Sequence, residues 1–197
     1  MCRLIALAGV TLFAVVCAAV QFARADLDWI ATPLSYYLVG PFGDIVIAAY
    51  IALGAALIAI GTLFYRELIP AARSGAPLLL FVVGGLALVV TALSESAKAY
   101  GHPVEWEMIH LAAAETTFLC VTVAMLLQSV WLRRDSRWRS SSTLALIWSA
   151  ATFAALWIYA LWRALPRGLS QKTVIALIVI WLAWAAIQLG RRHKVRV

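Results

Sequence analysis

The residues able to do chemistry are few and lie close together in the chain. Of three histidines among 197 residues, only His110 falls inside an apolar run; His102 sits in a polar break and His193 in the terminal tail. Glu95, Glu105, Glu107 and Glu115 surround the first two. A zinc or iron site can be drawn from His102, Glu107 and His110, because imidazole and carboxylate both suit those metals. Their spacing does not match His-Glu-x-x-His, in which two imidazoles one turn apart share a helix face. Two interfacial histidines, with Glu107 bonded to His110 three positions on, explain the same residues without a metal.

On a helix turning ~100° per residue, Glu107 lies about 60° from His110 and Glu115 about 80° further round, beyond Glu107. Glu115 falls well inside an apolar run. A carboxylate there should face the bundle, be paired or be protonated, so it is expected to point away from lipid. Ser35 is a candidate nucleophile with His110 as its base. It follows Pro33 in a turn-prone loop and lacks a Gly-x-Ser-x-Gly elbow, and a hydroxyl in such a loop also serves simply to bond local backbone. Arg167 and Lys172 could hold a lipid phosphate or act as boundary anchors. One histidine inside a span disfavours a bis-histidine haem, and the cofactor is left unknown.

The elements that must position these groups are set by composition. The chain is 64% hydrophobic and 13% charged, with a mean hydropathy of +0.93, against roughly a quarter charged residues in soluble domains. Apolar runs cover residues 4–22, 44–64, 77–94, 108–132, 143–162 and 172–190, each near the ~20 residues that cross a bilayer. They lack period-2 alternation, and lipid admits only helices or closed barrels. The expectation is therefore an all-α integral membrane six-helix bundle formed by a single transmembrane domain over residues 1–197. Ala48, Ala52 and Ala56 lay a small-residue stripe on the second helix, where a neighbour can approach closely.

The net charge of +7 does not indicate nucleic acid, because the basic residues cluster at the ends of apolar runs. With the N-terminus in the cytoplasm, Arg3, Arg66, Arg73, Arg133, Arg134, Arg137, Arg139, Arg191, Arg192, Lys194 and Arg196 fall on that side. Only Arg24, Lys98, Arg163, Arg167 and Lys172 fall on the other. This asymmetry follows the positive-inside rule and puts both termini in the cytoplasm. Trp29, Tyr36, Tyr37, Tyr100, Trp106, Tyr159 and Trp162 read as the aromatic belt of the outer boundary, and Tyr65, Trp131 and Trp138 as that of the inner one. Cys2, Cys17 and Cys120 form no loop pair, so no disulfide framework or thiolate site is indicated. A competing reading treats Met1 to Ala25 as a secretory signal ending at Ala23-Arg24-Ala25, which would leave five spans.

Three short motifs recur on the expected outer side. They are Thr32-Pro33-Leu34-Ser35-Tyr36-Tyr37-Leu38-Val39-Gly40-Pro41-Phe42-Gly43 before the second span, His110 at the start of the fourth, and Arg167-Gly168-Leu169-Ser170-Gln171-Lys172 before the sixth. In these the chain resembles the domain-of-unknown-function 998 family of small bacterial and archaeal multi-pass membrane proteins. Those proteins carry a similar Pro-x-Ser-x-Tyr...Gly-Pro-x-Gly run and a Gly-Leu-x-Glu-Arg turn, where this chain has Gln171 and Lys172. Leu93-Ser94-Glu95-Ser96 stands where members often have a Pro-Thr-Asp-like turn. The resemblance implies a small bundle in the bacterial inner membrane and no agreed activity.

The leading expectation is a membrane protein that binds a lipid, quinone or protein partner at a polar outer pocket formed by His110, Glu107, Glu115, Glu95 and Arg167. The alternative is a membrane enzyme, a lipid-directed hydrolase or transferase with or without a metal, whose catalytic candidates are His110, Glu115 and Ser35. Transport has little support, since matched broken helices and several buried charges are missing. Expected partners are membrane lipids, the pocket ligand, and a second copy or another membrane protein.

Overall fold

The computed structural model describes residues 1–97 and 103–194. Six helices account for nearly all of them: α1 (Cys2–Ala23), α2 (Gly43–Glu67), α3 (Gly75–Ala97), α4 (Pro103–Leu132), α5 (Arg139–Leu161) and α6 (Arg167–Lys194). Every one is long and apolar enough to cross a membrane, and no strand occurs among the described residues. The chain is a multi-pass membrane protein. α4, α5 and α6 begin about a turn before the apolar runs do, because a helix continues into the polar boundary once nucleated. Pro103 and Pro166, at or just before a first helical position, favour such starts.

Each helix packs against its neighbours in sequence, and α6 returns to α1 and α2 to close the bundle. Small residues set the closest crossings. A Cβ on Gly54 of α2 would meet the Gly85 carbonyl oxygen of α3 at 2.7 Å, and one on Gly85 would meet that of Gly54 at 2.6 Å. Gly9 of α1 lies against Ala52 and Ala56 in the same way, so the middle and lower part of the small-residue stripe carries a neighbour. Ala48, its first member, is exposed.

The two ends of the bundle differ. At the end that holds the termini, Arg3 of α1 pairs with Glu67 of α2 at 2.6 Å. Asp135, 1% exposed, accepts from the Arg137 guanidinium and from the backbone N–H groups of Ile69 and Arg137. Arg137 also donates to the Glu67 carbonyl at 2.8 Å, which ties the loop after α4 to the loop after α2. The Arg137 hydrogen bond holds the Asp135 carboxyl below its usual range. Above this clamp Phe64, Phe81, Trp138, Trp181 and Trp184 pack edge-on, tilted or stacked, with centroids 5.5–6.3 Å apart. Trp138 is thus a core residue, 1% exposed, and not a member of the boundary belt expected for it. Its ring replaces lipid contact with the rings of Phe64 and Trp184. Trp29, Tyr36 and Trp162, by contrast, are exposed at the other end.

At that other end the long connection between α1 and α2 folds back over the bundle. It contains one 3-10 turn, Leu34–Leu38, which buries Leu34, Tyr37 and Leu38. Arg24 closes the loop's base, donating to Asp26 at 2.8 Å and to the Val39 carbonyl at 2.8 Å. Gly40, at φ +80, lets the chain turn beside that guanidinium.

Candidate functional site

Two of the singled-out motifs are bonded to each other. The first N–H groups of α6 have no partners within the helix, and they are met by the α1–α2 loop: Gly168 donates to the Ala31 carbonyl at 3.0 Å and Leu169 to that of Ile30 at 2.8 Å. Glycine is required at 168, since a Cβ would fall against the carbonyls of Thr32 and Ile30. Gln171 completes the joint by accepting from the Leu34 N–H at 2.9 Å. Lys172 donates to the Trp29 carbonyl at 2.7 Å and lies over the Tyr37 ring. Burial raises the Tyr37 phenol above its usual range, against the opposing pull of Arg24.

Beneath this joint is a cavity of about 70 Å³. Its upper rim holds Ser35, Thr91, His110 and Gln171, with Tyr50 beside them, and its deep wall holds Leu57, Val121, Ile178 and Leu182. Phe13 brings α1 into the lining. At about 1.5 Å per residue, Tyr50 lies ~10 Å and Leu57 ~20 Å along α2 from its first residue. The cavity therefore passes from a polar rim to an apolar floor near the middle of the bundle.

His110 is 5% exposed. Its Nδ1 lies 2.9 Å from the Thr91 carbonyl and 3.1 Å from a Glu95 carboxylate oxygen. Both partners accept, so Nδ1 carries a proton. The carbonyl of Thr91 also takes the Ser94 hydroxyl at 3.2 Å, which joins the last turns of α3 to His110 of α4.

The expected site residues are only partly gathered. Ser35 and His110 share the cavity, and Glu95 stands behind His110 on the side of α3. Arg167 is exposed, donates to the Tyr159 carbonyl at 2.8 Å and stacks on the Tyr159 ring, away from the lining. Glu107 is exposed on α4. Glu115 was expected to face the bundle and is instead on the exposed face of α4, because the interior positions beside it are taken by Ala114 and Thr117, which line the cavity. His102 lies outside the described residues, and among those described no group of three histidine, cysteine or acidic side chains is arranged to hold a metal.

Thr91, Tyr50 and Thr117 were not singled out, and Gln171 stood only as a departure from a motif. A signal was available: Thr91, Thr117 and Gln171 are polar positions within or at the edge of apolar runs, where such groups face inward. Ser129 of α4 and Ser149 of α5, whose hydroxyls are 3.0 Å apart, obey the same rule further down the bundle.

The sequence model of one family, described as a protein of unknown function (DUF998), matches residues 7–188. No curated protein and no solved structure matches the chain.

Proposed function

We propose that this chain, which belongs to the DUF998 family, binds a single amphipathic membrane lipid or quinone in the cavity between α2, α3, α4 and α6. The observation that carries this reading is the gradient along the lining, from Ser35, Thr91, His110 and Gln171 at the rim to Leu57, Val121 and Leu182 below. Polar rim groups would fix a head, and the floor would take a chain. By the asymmetry of basic residues, the rim faces the extracytoplasmic side of a bacterial inner membrane.

The test is organic extraction and mass spectrometry of the purified chain. One lipid species should be recovered near one per chain from the wild type, and Ala114→Phe, which places a ring in the void, should retain less than a tenth of it. Equal recovery from the two proteins would remove the cavity as the site.

A specific observation also supports the enzymatic reading: Ser35 and His110 line one cavity, and His110 is braced by Glu95, the order of roles that activates a serine. No hydrogen bond joins Ser35 to His110 among the described residues. Release of fatty acid from a lipid ester, abolished by Ser35→Ala with lipid binding intact, would establish this reading. Zinc or iron at stoichiometric level in the purified protein would favour its metal-assisted form.

A further inference from the structure

The end of the bundle that holds the termini carries positive charge that the molecule does not neutralise. From Arg3 to Arg191, eight arginines at this end stand against two acids, Glu67 and Asp135. Both acids are already bonded, Glu67 to Arg3 and Asp135 to Arg137. Arg73 turns back onto the carbonyls of Leu68 and Arg66. Arg66, Arg133, Arg139 and Arg191 are exposed and have no hydrogen bond or ion pair among the described residues. At the opposite end the cations are mostly engaged: Arg24 on Asp26, Arg167 on the Tyr159 carbonyl and ring, and Lys172 on the Trp29 carbonyl.

The connection between α4 and α5 gathers three arginines. The Trp138 N–H donates to the Asp135 carbonyl at 2.9 Å, which closes a tight turn with Arg133 and Arg134 just before it and Arg139 just after. The ends of such a turn lie within ~7 Å, so the backbones of Arg134 and Arg139, one residue beyond each end, lie within ~15 Å. The turn is held from inside. The buried Asp135 carboxylate takes Arg137, which also donates to the Glu67 carbonyl at 2.8 Å, and Arg133, Arg134 and Arg139 stay exposed. The Arg134 guanidinium lies over the Trp131 ring, 4.1 Å from its centroid. A stacked guanidinium keeps its N–H donors around its edge, in the fork that matches a phosphate. Trp131 is partly buried in the last turn of α4, at the boundary depth where tryptophan meets lipid head groups.

We propose that the α4–α5 turn seats the phosphate of an anionic phospholipid from the leaflet at this end, held by Arg133, Arg134 and Arg139. This site is separate from the cavity and does not depend on what the cavity binds. A zwitterionic head carries its own ammonium beside the phosphate, so it gains less from three cations whose neighbouring acid is already bonded. A soluble phosphate would meet the same donors, but the boundary position of Trp131 and Arg134 sets them among lipid head groups.

The test reconstitutes the full chain in nanodiscs of equal phosphatidylcholine and phosphatidylglycerol, transfers it to mild detergent and counts the retained phospholipids by mass spectrometry. The wild type should retain phosphatidylglycerol over phosphatidylcholine by about tenfold or more, and Arg133→Gln with Arg139→Gln should bring the ratio below about threefold. Arg66→Gln with Arg191→Gln removes the same charge from elsewhere on this end and should leave most of the preference. Equal losses from the two pairs would show a diffuse charge and overturn the seat, as would a wild-type ratio near one. All four side chains are exposed, so both pairs should melt with the wild type. If the wild-type ratio were near one while sn-glycerol 3-phosphate bound the wild type and not the Arg133 and Arg139 pair, the seat would belong to a soluble phosphate and the lipid proposal would fall. Ala114→Phe, in the cavity, should leave the ratio unchanged; a ratio that fell with it would assign the retained lipid to the cavity and overturn the site at the turn.

Discussion

At the scale of single residues, the chain separates polar groups that build the cavity from polar groups that merely lie near it. Glu115 belongs to the second set. A carboxylate on the exposed face of a membrane helix costs roughly 2 kcal/mol or more relative to an apolar side chain, and nothing in the lining repays it. Glu115→Leu should therefore keep the bound lipid and raise stability by ~2 kcal/mol in nanodisc thermal unfolding. Loss of lipid would return Glu115 to the site. Asp135 is the opposite case, buried and fully bonded. Its folded carboxyl titrates below the usual value, so its stabilisation is complete above an unfolded pKa of about 4 and is lost only as pH falls through the lower folded one. Asp135→Asn should cost ~2 kcal/mol, a buried-pair loss discounted because Arg137 is a third exposed. That difference should stay constant from pH 8 to 5 and shrink only in stronger acid. A difference that vanished by pH 6 would contradict the bonded carboxylate.

Among the elements, the decisive contact is between the α1–α2 loop and the first turn of α6. It joins residues separated by more than a hundred positions, through backbone donors that a helix start leaves open. Gly168→Ala should force the loop off by contact of its methyl with the Ile30 and Thr32 carbonyls. The expected cost is about 1–3 kcal/mol, read as a lower melting point with lipid retention at least halved. An unchanged melting point would mean that the loop docks by other contacts. The sequence made this joint legible only as two motifs on one side of the membrane. Periodicity locates helices and their sides, because hydrocarbon thickness sets run length. It does not give pair contacts, which depend on helix order in the bundle. For the same reason His110 could be assigned to the interior boundary but its partner could not: Glu107 was nearest in sequence, whereas Glu95 of the adjacent helix is nearest in space. Glu115 was misplaced because the rule that buries polar side chains does not say which of several adjacent polar positions a narrow interior will accept.

For the molecule as a whole, one half of the bundle is filled and the other half is open. Aromatic packing and the Asp135 clamp fill the end holding the termini, while the opposite half keeps a void beneath the α1–α2 loop. α1 belongs to this arrangement, since Phe13 lines the void and Arg24 anchors the loop above it. A chain beginning at Asp26 would lack both. Reporter fusions after Lys98 and Arg163 should read as extracytoplasmic; cytoplasmic signals from both would move the rim to the inner leaflet.

The most direct measurement is photo-crosslinking with an isoprenoid quinone analogue carrying a diazirine on its chain, followed by peptide mass spectrometry. The account predicts adducts on the deep lining, at Leu57, Val121, Ile178 and Leu182, displaced by excess unlabelled quinone. Adducts confined to outward residues of α4 such as Leu111 and Leu119, unaffected by competitor, would contradict it.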